Sequence, residues 1–136
     1  KGAATWELVS YNVMSGTGAI PTATVCLSYN GEKRVAAAMA DGPVDAAFKA
    51  IDTLLNEEGI RLVGFTLDAV TEGTDALGRV AVTIKRDGGR EVRGRAVSTD
   101  IVLSSIKAYI NALNSLHVQE SAARTSRTEG APLASV

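Results

Sequence analysis

Apolar and polar residues alternate along three successive stretches, "WELVSYNV" (6–13), "ATVCLSY" (23–29) and "EKRVAAAM" (32–39). A period of two predicts half-buried strands, and Asn30-Gly31 between the second and third is a strong hairpin signal. The period then changes. Val44, Ala47, Phe48, Ile51 and Leu55 fall on one face at helical spacing. The same succession follows again: "RLVGFTLDAV" (61–70), "RVAVTIKR" (79–86), a turn at Asp87-Gly88-Gly89, and "REVRGRAV" (90–97). A second helical face carries Val102, Ile106, Tyr109, Ile110 and Leu113. Glycine-bearing connections, "SGTGAIP" and "EGTDALG", join the first two strands of each set.

The chain therefore reads as one unit written twice. A shift of 58 residues places Lys49 on Lys107, Ala50 on Ala108, Leu55 on Leu113 and Asn56 on Asn114. Without a gap, it also places Gly31 on Gly89 and Ala23 on Ala81. The expected fold is α+β, two pseudo-symmetric βββα units over about 5–58 and 59–116, in one domain over 1–116. A three-stranded sheet with one helix cannot bury both faces, so the units are expected to share a core and the chain to form a homodimer. After Leu116 the apolar periodicity stops, and 117–136 is expected to be a mobile tail.

Composition narrows the functional classes. Fourteen basic side chains face fifteen acidic ones, so bulk charge attracts neither nucleic acid nor an anionic membrane. The single cysteine, Cys26, excludes an internal disulfide framework and suits a reducing compartment, the cytoplasm. No apolar run approaches the roughly 20 residues that cross a bilayer. A chain that opens on Lys1 reads as a piece of a longer protein.

The stretch "ADGPVDAAFKAID" (40–52) poses the chemical question. Pro43 suits the first helical position, which makes Gly42 the cap, and glycine offers no side chain to the free N–H groups. Asp45 can fold back in half of a capping box. The remaining donors, at the positive end of the helix dipole, form a small anion site that a carboxylate could fill. Asp41 beside it could hold an ammonium, and the two charges together describe a free α-amino acid. A plain turn is the competing reading. The second unit offers "VSTD", with Ser98 or Thr99 as an ordinary cap and Asp100 in the first turn.

"SGTGAIPTATV", "DGPVDAAFKAID", "TDALGRV" and "GRAVSTDIVLSSIKAYINALN" together resemble the C-terminal regulatory domain of the 2-isopropylmalate synthase and citramalate synthase family, over residues of about 5 to 116. The resemblance implies two βββα units that dimerise and bind the end-product amino acid as feedback inhibitor, leucine in one branch and isoleucine in the other. It implies a parent enzyme that condenses acetyl-CoA with a 2-oxo acid on a separate TIM barrel using a divalent metal. That barrel, its catalytic residues and its metal site have nothing to map onto here, so the fragment is expected to carry no catalysis and no cofactor. The catalytic domain of the same parent chain is an expected partner. The effector pocket implied for this chain comprises Asp41, Gly42 and Val44, then Leu62, Phe65 and Ala69 on the strand that opens the second unit. Ala76 in the second glycine-bearing loop, and Ser98, Thr99 and Ile101 at the start of the second helix, complete it. Leu62, Phe65 and Ala69 break strict alternation, which predicts a bend or bulge at the end of that strand. Where relatives often carry tyrosine, Phe65 lacks the hydroxyl. A dimerisation module that has lost its effector is the alternative.

Other residues are set aside on their chemistry. His117, the only histidine, reads as a solvated helix-end residue, having no second ligand for a metal. Cys26 reads as a structural thiol in mid-strand. "KRDGGREVRGR" is basic but has no aromatic for base stacking, and it reads as a solvated hairpin. The acidic loop "TEGTDALG" fits no twelve-residue calcium site.

Overall fold

The computed structural model describes residues 5–72 and 75–135, with side chains for 5–70 and 76–124. Strands β1 (Trp6–Met14), β2 (Thr22–Tyr29) and β3 (Glu32–Met39) precede helix α1 (Pro43–Leu55). Strands β4 (Ile60–Glu72), β5 (Asp75–Arg86) and β6 (Glu91–Ser98) precede helix α2 (Ile101–Ser135). The result is two antiparallel sheets, ordered β1-β2-β3 and β4-β5-β6. Asn30 and Gly31 form the first hairpin turn at φ 56° and 80°, the left-handed backbone that an Asn-Gly pair adopts readily.

The units share one core, as the pattern predicts. Ala23, Val25 and Leu27 of β2 and Val80, Val82 and Ile84 of β5 are buried in a single cluster with Ala47, Phe48 and Ile51 of α1 and Ile106, Tyr109 and Leu113 of α2. Two glycines let α2 come close. A Cβ on Gly94 of β6 would stand 2.2 Å from the Ala108 carbonyl oxygen, and one on Gly78 of β5 would stand 2.2 Å from Ile101 Cδ1. Buried Ser104 then donates to the Gly78 carbonyl at 3.1 Å. The units are also tied by α2 to β1: the Trp6 N–H donates to Asn114 Oδ1 (2.8 Å), and Asn114 Nδ2 donates back to the Trp6 carbonyl (2.9 Å).

The repeat is real but not ungapped. Asn30-Gly31 lies between paired Tyr29 and Glu32, whereas the β5–β6 turn takes one more residue and closes with Gly89 N–H donating to the Arg86 carbonyl. The shift of 58 therefore holds for the helices and becomes 57 in β2 and β5, so Ala23 corresponds to Val80, not Ala81. One residue matters here because it would turn the buried face outward. Each first strand carries a bulge, at Val9 in β1 and at Val63 in β4. The bulge expected at the end of β4 thus sits near its start, between Leu62 and Gly64. By these bulges Leu8, Tyr11 and Val13 correspond to Leu62, Phe65 and Leu67.

Three further expectations are corrected. Ala76 is in β5, paired with Thr71, because the ladder runs almost to the tip of the hairpin and leaves little of the second glycine-bearing segment as loop. The helix does not stop near Leu116: α2 runs to Ser135. Gln119, Glu120, Ala122, Ala123 and Arg124 are sound helix formers although they carry no apolar stripe. Arg86 also grips this continuation, through Glu120 at 2.6 Å. His117 is not a free helix-end residue, since it lies on α2 with Nε2 2.9 Å from Glu57, which also pairs with Arg86 at 2.7 Å. Burial pushes the Glu57 carboxyl up, but the bonds from Arg86 and His117 outweigh it and hold the carboxyl below its ordinary range. Cys26 is a half-buried free thiol. Among the described residues no helix is long and apolar enough to cross a membrane.

Candidate functional site

The two helix N-termini occupy corresponding positions and are finished differently. Gly42 caps α1 in an extended conformation (φ −146°, ψ 168°), Pro43 follows it, and no side chain bonds to the free N–H groups. Asp45 leans back, with Oδ2 3.9 Å from where a Cβ on Gly42 would stand. At α2 the cap is Asp100 rather than Ser98 or Thr99. Asp100 Oδ1 accepts from the N–H groups of Val102 (2.9 Å) and Leu103 (3.2 Å), while Ser98 Oγ accepts from the Asp100 N–H (3.0 Å). The other oxygen, Oδ2, accepts from the hydroxyl of Tyr11 on β1. That bond, with the two backbone donors, holds the Asp100 carboxyl below its ordinary range against the opposing effect of burial. The same bond raises the Tyr11 hydroxyl.

Shifted by the repeat, Asp100 becomes Gly42 and Tyr11 becomes Phe65. The carboxylate and hydroxyl that complete one helix start are both missing at the other. An unfilled helix N-terminus with a positive dipole end suits an anion the size of a carboxylate.

Beside this end lies a cleft of about 430 Å³ lined by Ala40, Asp41, Asp45, Phe48, Lys49, Asp52, Ile60, Leu62 and Tyr109. Phe65 meets Phe48 at 6.3 Å between ring centroids. The cleft therefore combines the carboxylates of Asp41, Asp45 and Asp52 and the ammonium of Lys49 with an apolar and aromatic wall. Leu62, Phe65 and Leu67 are 47%, 40% and 50% exposed, although they pair with buried Ile84, Val82 and Val80 and lie on the core-facing side of the sheet. Their counterparts Leu8, Tyr11 and Val13 are packed against the core.

The ten residues expected to form the pocket thus fall into two groups. Asp41, Gly42, Val44, Leu62 and Phe65 gather around the start of α1 and the adjoining half of β4. Ala69 pairs with Gly78, Gly78 pairs with Ser98, and Ile101 packs on Gly78, so Ala69, Ser98 and Ile101 form a second group with Thr99 and with Ala76 farther along β5. Sequence reasoning missed Phe48, Asp52 and Tyr109. Phe48 and Tyr109 sit at regular core positions, so nothing but their aromatic character marked them.

Among the described residues no group of three or more His, Cys, Asp or Glu side chains is placed to hold a metal ion.

Residues 1–117 match the family described as the LeuA allosteric (dimerisation) domain. The chain is 46% identical over 112 residues to a 2-isopropylmalate synthase of Carboxydothermus hydrogenoformans, an alignment covering 82% of this chain and 22% of that protein. Against the 2-isopropylmalate synthase of Olsenella uli it is 47% identical over 112 residues, again 82% of this chain and 22% of the relative. Against that of Gloeobacter violaceus it is 44% identical over 113 residues, 82% of this chain and 21% of the relative. The chain spans about a fifth of the length of the curated relatives it matches.

Proposed function

Because the chain belongs to the family of LeuA allosteric (dimerisation) domains, we propose that it senses leucine for a 2-isopropylmalate synthase, binding it as feedback inhibitor at the bare N-terminus of α1. The observation that carries this reading is the internal comparison. Asp100 supplies a carboxylate to the start of α2, and the corresponding residue at α1 is Gly42. The carboxylate of a free amino acid takes the vacant place, Asp41 holds its ammonium, and its branched side chain lies against Leu62 and Phe65.

The homodimer enters through the uncovered side of β4. Leu62, Phe65 and Leu67 form an apolar strip beside the cleft whose counterparts in the first unit are covered. A second copy laid there buries the strip and adjoins the effector. Leucine then couples to assembly because it binds one arrangement of the units and their partner better than another. The second group, Ala69, Ala76, Ser98, Thr99 and Ile101, belongs to the same proposed effector region. Acetyl-CoA condensation with a 2-oxo acid on a metal-dependent barrel, in the cytoplasm, is part of the proposal for the parent protein.

Isoleucine is the second reading, since the two side chains differ only in where one methyl branches and an apolar wall separates such isomers by about 1–3 kcal/mol. Calorimetric titration of the chain and of Gly42→Asn with each amino acid tests the site. Asparagine puts an uncharged acceptor on the free N–H groups, in extended backbone with open space around it. The fold should gain a few tenths of a kcal/mol while leucine binding falls at least roughly tenfold, the loss of a charge-assisted hydrogen bond. Unchanged affinity in Gly42→Asn would remove the helix start from the site.

A further inference from the structure

Phe48, in the middle of α1, lies between two other rings. It stacks on Tyr109 of α2, with centroids 4.4 Å apart and planes at 29°, and it meets Phe65 of β4 at 6.3 Å and 59°. One aromatic file therefore crosses from the first strand of the second unit, through the helix of the first, to the helix of the second. Exposure falls along it, from 40% at Phe65 to 7% at Phe48 and 5% at Tyr109. The buried end is tied: the Tyr109 hydroxyl donates to Asp52 Oδ1, on α1 one turn beyond Phe48. Burial pushes the Asp52 carboxyl up, and the bond from Tyr109 draws it the other way.

The repeat supplies a control for what this arrangement is for. The counterparts of Phe65, Phe48, Asp52 and Tyr109 are Tyr11, Ile106, Ile110 and Ile51. The same helix pair is thus packed in the other half with isoleucines, whose side chains offer neither a ring stack nor a hydrogen bond between the helices. Core packing alone does not call for either. The file stands only on the side where the helix start is bare.

We propose that Tyr109 is a positioning residue for the effector wall: through Phe48 it sets the plane of Phe65, and its hydrogen bond to Asp52 keeps the three rings in register. A flat exposed ring at the cleft is otherwise free to turn about its side-chain torsions. Held by the file, Phe65 presents one orientation to an apolar ligand group, and a ligand pressing on it acts on the packing of α1 against α2. That the wall meets leucine rests on the function proposed above; that Tyr109 orients it does not.

Two measurements on the same variants keep these apart: the ring resonances of Phe65 by carbon-edited NMR without ligand, and leucine affinity by calorimetry. Tyr109→Phe keeps the stack and removes only the hydroxyl. It should shift the Phe65 ring resonances and weaken leucine roughly fivefold, the size of one net hydrogen bond. Asp52→Asn keeps an acceptor and should stay near the parent in both, whereas Asp52→Ala should match Tyr109→Phe. In a Phe48→Leu background, Tyr109→Phe should change neither any further, which general loss of stability would not reproduce. Phe65 resonances unmoved by Tyr109→Phe, or an equal effect in the Phe48→Leu background, overturn the proposal. Resonances that move as expected in a chain that binds no leucine leave the positioning role standing and remove the effector.

Discussion

The hydroxyl of Tyr11 donates to the carboxylate of Asp100, joining the first strand of one unit to the capped helix of the other. Where the repeat places these two residues again, the chain has Phe65 and Gly42. A fold that builds the same corner twice and completes it once shows which chemical groups the second corner lacks. Those groups are a carboxylate on the helix N–H donors and a hydroxyl beside it.

Phe65→Tyr restores the hydroxyl. If leucine's carboxylate stands where that of Asp100 stands at the other corner, the added hydroxyl reaches it as that of Tyr11 reaches Asp100. A net hydrogen bond of about 0.5–1.5 kcal/mol tightens leucine roughly two- to tenfold. Calorimetry checks this, and weaker binding would mean that the ligand's carboxylate lies elsewhere.

Asp100→Ala removes the α2 cap and the acceptor of Tyr11 together. The expected loss is about 0.5–2 kcal/mol, as for other caps of this kind, read as a lower midpoint in urea. The pH dependence follows from the direction of the shift. The Asp100 carboxyl is held below its ordinary value in the fold, so its contribution is complete above the unfolded-chain value of about 3.9. It is lost as pH falls through the lower folded value. Asp100→Asn should therefore show a shallower loss of stability in acid than the parent chain, while the two converge at the lowest pH.

Gly94→Ala should be the most damaging small substitution in the sheets. Its added methyl would stand 2.2 Å from the Ala108 carbonyl oxygen and 2.3 Å from the Ala112 nitrogen, both backbone atoms of α2. Backbone cannot swing aside as a side chain does. A loss of about 3 kcal/mol or more is expected, a fall in melting temperature on the order of 10 °C. Gly42→Ala, with no backbone within 4 Å of the added methyl, should not cause a comparable fall.

Asn114→Leu breaks both bonds between α2 and the backbone of Trp6. The peptide groups of Trp6 lose their partners at the edge of the core, which costs about 1–3 kcal/mol. Trp6 is the only tryptophan, so its emission reports the change directly, and a red shift in the folded state is expected.

Much of this architecture is legible from the residues themselves. Periods of two and 3.6, Asn30-Gly31 and the doubled pattern lead to two βββα units, and Gly42-Pro43 marks the bare helix start. What is not legible has specific causes. The extra residue at Asp87-Gly88-Gly89 shifts β5 by one place, which shows only in the strand register and in the burial of Val80 in place of Ala81. Ser98, Thr99 and Asp100 are all competent caps, and the choice among them is tied to Tyr11, 89 residues away. Phe48 and Tyr109 are helical core positions by spacing, and only their mutual stacking sets them apart from the isoleucines that do the same packing elsewhere. The continuation of α2 past Leu116 has no apolar stripe to announce it.

The most direct test of leucine sensing is a thermal melt of the chain alone and with leucine, isoleucine or valine. A ligand that binds only the folded state at about a hundred times its dissociation constant adds roughly 2.7 kcal/mol. For a domain of this size that is on the order of 10 °C. A shift of that size with leucine, much smaller with isoleucine and valine and cut to about half or less in Gly42→Asn, is the predicted result. No shift with leucine, or an equal shift when Gly42 is replaced, would contradict the account.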